Sequence, residues 1–257
     1  MEAIVQVMES TIGARDPYTV GHQQRATQIA CAIAAEMGLS FEQLRDLRVA
    51  GSLHDLGKVA VPLEILSKPG KLTDIEFAMV KTHPQVGYDI LRPLKLPAII
   101  SQIILQHHER LDGSGYPLGL RGREILPEAR ILGVADVLEA MCSHRPYRPA
   151  LGLDLAFEEL QRGRGTAYDP DVVDICLKLY EEAALPNPQS VPELARRPQA
   201  VENYISHSIL DRGRDARWSG EKMQDFRSWL RHCPFQPRFI LQSAMASLAA
   251  CLFMINR

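Results

Sequence analysis

The sequence predicts an all-α fold, and three observations carry that expectation. Apolar residues recur at helical spacing in successive segments, helix start and stop residues bracket those segments, and no run alternates polar and apolar residues long enough to make a sheet. The first clear helix is "TVGHQQRATQIACAIAAEMG", with Ile29, Ala30 and Ile33 on one apolar stripe and Gly38 as a left-handed stop. Ser40 opens the next, with Gln43 three residues on as a capping box. It carries Leu44, Leu47 and Leu53 into "HDLGK", where Gly57 is expected to mark its end. After "KPGK", Thr73 and Glu76 form a second capping box, and short helical segments follow, interrupted by Pro84 and Pro93. "LPAIISQIILQHH" and "LPEARILGVADVLEAM" are apolar and helical, the latter opening on a proline. "LDLAFEELQRG" and "PDVVDICLKLY" complete the set.

The chain of 257 residues, 46% hydrophobic, suffices for one substantial core and a small appendage. A net charge of -2 leaves no cationic excess for a long phosphate backbone, which argues against a DNA or RNA polymer as partner. The N-terminus has early acids and no apolar h-region of a secretory signal. The cysteines, Cys31, Cys142, Cys176, Cys233 and Cys251, form no Cys-x-x-Cys pair, so a reducing compartment, the cytoplasm, is expected. Beyond about Ala184, "LPNPQSVPELARRPQA" reads as a linker. The tail ends in "RFILQSAMASLAACLFMINR", slightly short for a span and weakened by Gln242, Ser243 and Ser247. A packed or surface helix is expected there, with a membrane anchor as the alternative.

Chemistry concentrates in His22, His54-Asp55, His83, His107-His108 and Asp136. Asp136 sits among Val134, Ala135, Val137 and Leu138, where an ionised carboxylate is costly without a partner. Any one of these histidines alone would read as structural. Doublets at the ends of apolar helices read instead as metal ligands, and imidazole with carboxylate suits Fe or Mn, with Zn or Ni as alternatives. Seven side chains are too many for one ion with an open position. Two ions use them well, with His22, His54 and Asp136 on one, His83, His107 and His108 on the other, and Asp55 between. Such a site keeps a formal charge of about +2, attracts phosphate and acidifies a bridging water for in-line attack on phosphorus.

"HDLGK", "THPQVGYDIL", "QHHERLDGSGYP", "ILGVADVLEAM" and "RPYRPAL" resemble the successive signatures of the HD-GYP family, a branch of the HD-domain phosphohydrolases, from about Arg15 to Tyr180. The resemblance implies an HD-domain helical bundle with a GYP loop over a dinuclear site, hydrolysing cyclic di-GMP to linear pGpG and onward to GMP. With the change of composition after about Ala184, a catalytic domain over 1–184 is expected, with 185–257 as linker and tail. The metal-bridging Asp55 and Lys58 are the expected catalytic residues, the latter reaching the scissile phosphate. Gly115, Tyr116, Pro117, Arg145 and Arg148 are expected to bind substrate, in a loop where Gly113 and Gly115 permit positive φ and close backbone approach. Some relatives carry a glutamate four residues before the first histidine for a third ion; Tyr18 stands there, so two ions are expected. Diguanylate cyclase (GGDEF) partners and a homodimer are further expectations. The competing readings are a hydrolase of another cyclic dinucleotide or small nucleotide, and a silent module that binds the dinucleotide or a cyclase.

Overall fold

The structure, a computed structural model, describes residues 2–15, 17–143 and 150–181. The boundary after residue 184, the linker and the apolar C-terminal stretch lie outside the described residues, as do Arg145 and Arg148. The described chain forms ten α-helices and no strand. They are α1 (Glu2–Arg15), α2 (Pro17–Glu36), α3 (Phe41–Leu53), α4 (Leu63–Leu66), α5 (Asp74–Val80), α6 (His83–Leu91), α7 (Ala98–Gln106), α8 (Pro127–Cys142), α9 (Leu153–Gly163) and α10 (Pro170–Glu181). Among the described residues, no helix is long and apolar enough to cross a membrane.

Both anticipated capping boxes form. Ser40 and Gln43 exchange side-chain and backbone bonds at the start of α3, and Thr73 and Glu76 do so at α5. Gly38 ends α2 with φ +79, where a side chain would be strained.

Other ends differ from expectation. The helix α3 stops at Leu53, and Gly57 lies in a separate 3-10 helix, Leu56–Ala60. Its role is contact, not termination: a Cβ there would meet the His83 carbonyl oxygen at 1.9 Å. Pro84 does not interrupt a helix; it sits in the first turn of α6, where its missing N–H costs nothing. Likewise α2 starts at Pro17, so residue 18 belongs to the same helix as His22. The side chain of Tyr18 is outside the described residues. Helix α1 was not read from the sequence; its Ile12 is buried.

The core forms where α2 packs on α3 and α8, and α3 on α7. Ile29 and Ile33 of α2, Leu47 and Leu53 of α3, Ile100, Ile103 and Ile104 of α7, and Ile131, Leu132 and Leu138 of α8 are fully buried. Each such side chain contributes roughly 1.5–3 kcal/mol. The helices that carry histidines and aspartates are therefore those fixed most firmly by packing, and α6 joins them through α7 and the 3-10 helix.

Candidate active site

Helix ends supply most of the site. His54 and His107 are the C-cap residues of α3 and α7, Asp55 and His108 follow them, and His83 is the first residue of α6. The last carbonyls of a helix lack intrahelical partners. Imidazole fills that need: Nδ1 of His54 donates to the Gly51 carbonyl at 2.7 Å, and Nδ1 of His107 to that of Ile104 at 2.6 Å. His83 Nδ1 donates likewise to Val80 at the end of α5, at 2.8 Å. A carbonyl only accepts, so these three rings carry the proton on Nδ1 and turn a bare Nε2 inward.

All seven candidate ligands converge. His22, His54 and Asp136 form one group, His83, His107 and His108 another, and His54, Asp55 and His107 a third between them, with ligand atoms in each within 4.8 Å of one another. Asp55 faces both ways: Oδ1 lies 3.6 Å from His83 Nε2, and Oδ2 lies 3.7 Å from His54 Nε2 and 3.9 Å from His22 Nε2. Asp136 Oδ1 is 2.9 Å from His22 Nε2, while Oδ2 is 3.9 Å from His108 Nδ1.

The donor set fits divalent metal. Among the described residues the buried Nε2 of His54 has no hydrogen-bond partner. Nε2 of His83 and Nε2 of His107 are 3.4 Å apart, and since both rings are protonated at Nδ1, two lone pairs confront each other. A shared cation relieves that repulsion. Electrostatics agree. Burial pushes His83 down to about 4 and holds His107 and His108 well below their usual value, so the rings are neutral ligands. Burial alone would raise Asp55 and Asp136. Lys58 and the surrounding imidazoles outweigh it at Asp55, and His22 with His54 at Asp136, so both acids stay well below the carboxylate range. Neutral imidazole and ionised carboxylate are the protonation states that bind metal.

Two carboxylates were missed in the sequence. Glu139, fully buried on α8, accepts from His22 Nδ1, from Arg25 Nε at 2.5 Å and from the Ser143 hydroxyl at 2.5 Å. Burial would raise its pKa, but His22 and Arg25 bring it down to about 2. An ionised Glu139 fixes the His22 tautomer and aims Nε2 at the cluster. The available signal was its place three residues after Asp136 on an apolar helix, hence on the same face. Glu139→Gln is expected to weaken metal affinity by roughly 10- to 100-fold, with activity recovering in excess metal. Metal titration with elemental analysis checks this, and an unchanged affinity would reduce Glu139 to a structural partner of Arg25.

The GYP loop closes against the second group. The Tyr116 ring stacks on His108 with centroids 4.7 Å apart and planes at 29°. A second overlooked carboxylate, buried Glu109, anchors this loop by accepting from the backbone N–H of Leu118 at 2.7 Å and of Leu120 at 3.0 Å. Gly113 has φ +80, as expected, but Gly115 is not in the left-handed region. Its need is space alone, since a Cβ there would lie 2.4 Å from Glu109 Cα. Pro117 is half-buried. Lys58 Nζ lies 2.7 Å from Asp55 Oδ2 at the partly exposed rim.

A family model described as HD domain matches residues 6–172. The chain belongs to the HD domain family. It is 44% identical over 169 residues to the "Cyclic di-GMP phosphodiesterase response regulator RpfG" of Xanthomonas campestris pv. campestris, covering 64% of this chain and 44% of that protein. It is 37% identical over 171 residues to the "3'3'-cGAMP-specific phosphodiesterase 3" of Vibrio cholerae, covering 66% and 37%. This HD domain chain thus spans less than half the length of either relative. The solved HDG"Y"P protein Bd1817 from Bdellovibrio bacteriovorus shares the fold at TM-score 0.54 and 20% identity, over 62% of this chain and 51% of that one. The HD-GYP resemblance carried by "HDLGK" and "QHHERLDGSGYP" is borne out by these matches.

Proposed function

We propose that the chain is a metal-dependent phosphodiesterase that hydrolyses cyclic di-GMP, with residues 1–184 as the catalytic unit. The observation that carries the reading is Asp55, whose two oxygens face opposite histidine groups, 3.6 Å from His83 and 3.7 Å from His54. His22, His54 and Asp136 would hold one divalent ion and His83, His107 and His108 a second, with Asp55 shared; Fe or Mn suits this thiolate-free set best, with Zn or Ni as alternatives. When bound, the ions acidify a water and offset phosphate charge. The chain's own groups do the rest. The water oxygen bonds to phosphorus as the ring P–O3′ bond breaks, and the leaving 3′ oxygen takes up the proton that the water gives up, which opens the ring to pGpG. A second hydrolysis gives GMP. The Lys58 ammonium, beside Asp55, meets charge developing on the scissile phosphate. Arg145 and Arg148 would grip phosphate through their guanidinium forks. Three buried free thiols, Cys31, Cys142 and Cys176, suit a reducing compartment such as the cytoplasm.

The second reading is a hydrolase of another cyclic dinucleotide, favoured by the relative named as 3′3′-cGAMP-specific. Turnover of cyclic di-GMP, 3′3′-cGAMP and cyclic di-AMP by metal-reconstituted protein decides between them. The expected result is the highest kcat/KM for cyclic di-GMP. Preference for 3′3′-cGAMP would transfer the assignment to the second reading, and no turnover of any would leave the binding module.

Roles of the cations separate in kinetics. Replacing Arg145 or Arg148 with Ala is expected to raise KM more than it lowers kcat, because both hold phosphate in ground and transition state. Lys58→Ala is expected to strike kcat instead. The reverse pattern would exchange the assignments.

A further inference from the structure

A line of contacts leads from the ligand cluster outwards. Tyr116 stacks on His108, Lys81 Nζ lies 5.4 Å from the Tyr116 ring centroid and 4.6 Å from that of Phe77, and Phe77 is 45% exposed. Lys81 caps the C-terminus of α5, two residues before His83, so its backbone is tied to that of a candidate ligand. A lysine at a helix C-terminus, four residues after an aromatic, has an ordinary stabilising role. That role explains the Phe77 contact. It does not explain why the ammonium also reaches Tyr116, which belongs to the loop stacked on the cluster. Among the described residues Lys81 forms no ion pair, and its ammonium lies over the faces of these two rings. Ring faces leave an ammonium its full charge for an anion.

A cyclic dinucleotide brings two phosphates and two bases, and the cluster engages one phosphate. The remaining groups need a cation and an apolar face beyond it. Proteins that hold nucleotides without reading base edges use this pair, positive charge along the phosphates and aromatic rings under the bases.

We propose that Lys81 and Phe77 form an outer recognition subsite, in which Lys81 holds the phosphate that is not being cleaved and Phe77 stacks one base. This rests on the cyclic dinucleotide reading above. Stacking accepts any base, so the subsite supplies affinity without base choice. Steady-state kinetics of the full chain, reconstituted with metal, test it in Lys81→Met, Lys81→Arg and Phe77→Ala. Lys81→Met and Phe77→Ala are each expected to raise KM by about tenfold, the worth of one stacked base or phosphate contact, with kcat nearly constant. Lys81→Arg keeps the charge and should restore KM to within about threefold of the unmodified protein. Phe77→Ala should raise KM for cyclic di-GMP and 3′3′-cGAMP by the same factor. Unchanged KM values, or a fall in kcat with KM constant, would overturn the subsite and leave both residues as braces of the loop. Unmodified protein that hydrolyses bis(4-nitrophenyl) phosphate but no cyclic dinucleotide would overturn the substrate reading and the subsite together. Turnover of the dinucleotide with indifferent variants would overturn the subsite alone.

Discussion

Asp55→Asn is expected to abolish turnover, with a loss of about a thousandfold or more, and to reduce bound metal below one ion per chain. The reason lies in the two faces of this carboxylate. Oδ1 sits 3.6 Å from His83 and Oδ2 3.7 Å from His54, so a single group serves both histidine sets. Asparagine keeps the shape, removes the charge and turns one acceptor into a donor that points at bare imidazole nitrogens. Lewis-acid stabilisation is worth several kcal/mol, and each 1.36 kcal/mol is a factor of ten in rate. The fold should persist: Lys58, the cation left behind, is partly exposed, and the helices on either side are held by Leu47, Leu53, Ile103 and Ile104. Elemental analysis, circular dichroism and turnover on the same preparation check this. Near-native hydrolysis by Asp55→Asn would end the dinuclear reading.

What the sequence revealed was whatever is written locally. Ser40 with Gln43 and Thr73 with Glu76 are complete within four residues, and both capping boxes form. The doublets His54-Asp55 and His107-His108 stood out because charged and titratable residues at the ends of apolar helices need partners, and the structure brings them together. What was hidden depends on residues distant in the chain. Glu139 meets His22 across 117 positions, and nothing in "DVLEAM" names that partner. Glu109 reads as one half of a charged pair with Arg110, yet its carboxylate is spent on the backbone of Leu118 and Leu120. Glycine was legible only in part for a related reason. A glycine that is small because another backbone passes close looks, in sequence, the same as one that turns a corner, and Gly57 and Gly115 are of the first kind. Gly133 is a third case, with the His107 carbonyl oxygen 2.7 Å from where its Cβ would stand.

Gly57→Ala is expected to disable the site almost as thoroughly as loss of a ligand, though residue 57 coordinates nothing. Its added methyl would stand 1.9 Å from the His83 carbonyl oxygen and 2.7 Å from the Gly87 backbone nitrogen. Both obstacles are backbone of α6, so no side chain can rotate away, and the 3-10 helix and α6 must separate. Overpacking of this kind costs about 1–3 kcal/mol in stability. The functional cost is larger, because α6 carries His83 and the 3-10 helix follows Asp55, which now lie 3.6 Å apart. A displacement of about 1 Å at a reacting centre costs roughly a hundredfold in rate. The expected result is therefore a drop in kcat/KM of at least about a hundredfold, accompanied by loss of metal from the His83, His107 and His108 group. Gly70→Ala separates crowding from backbone strain: Gly70 has φ +95 and nothing within 4 Å of its Cβ position, so it should lose some stability and keep activity. Thermal unfolding, metal content and kinetics of the two variants make the comparison. Full activity and metal content in Gly57→Ala would show that α6 yields without moving His83, and the account of Gly57 as the close contact that sets α6 against the 3-10 helix would fail.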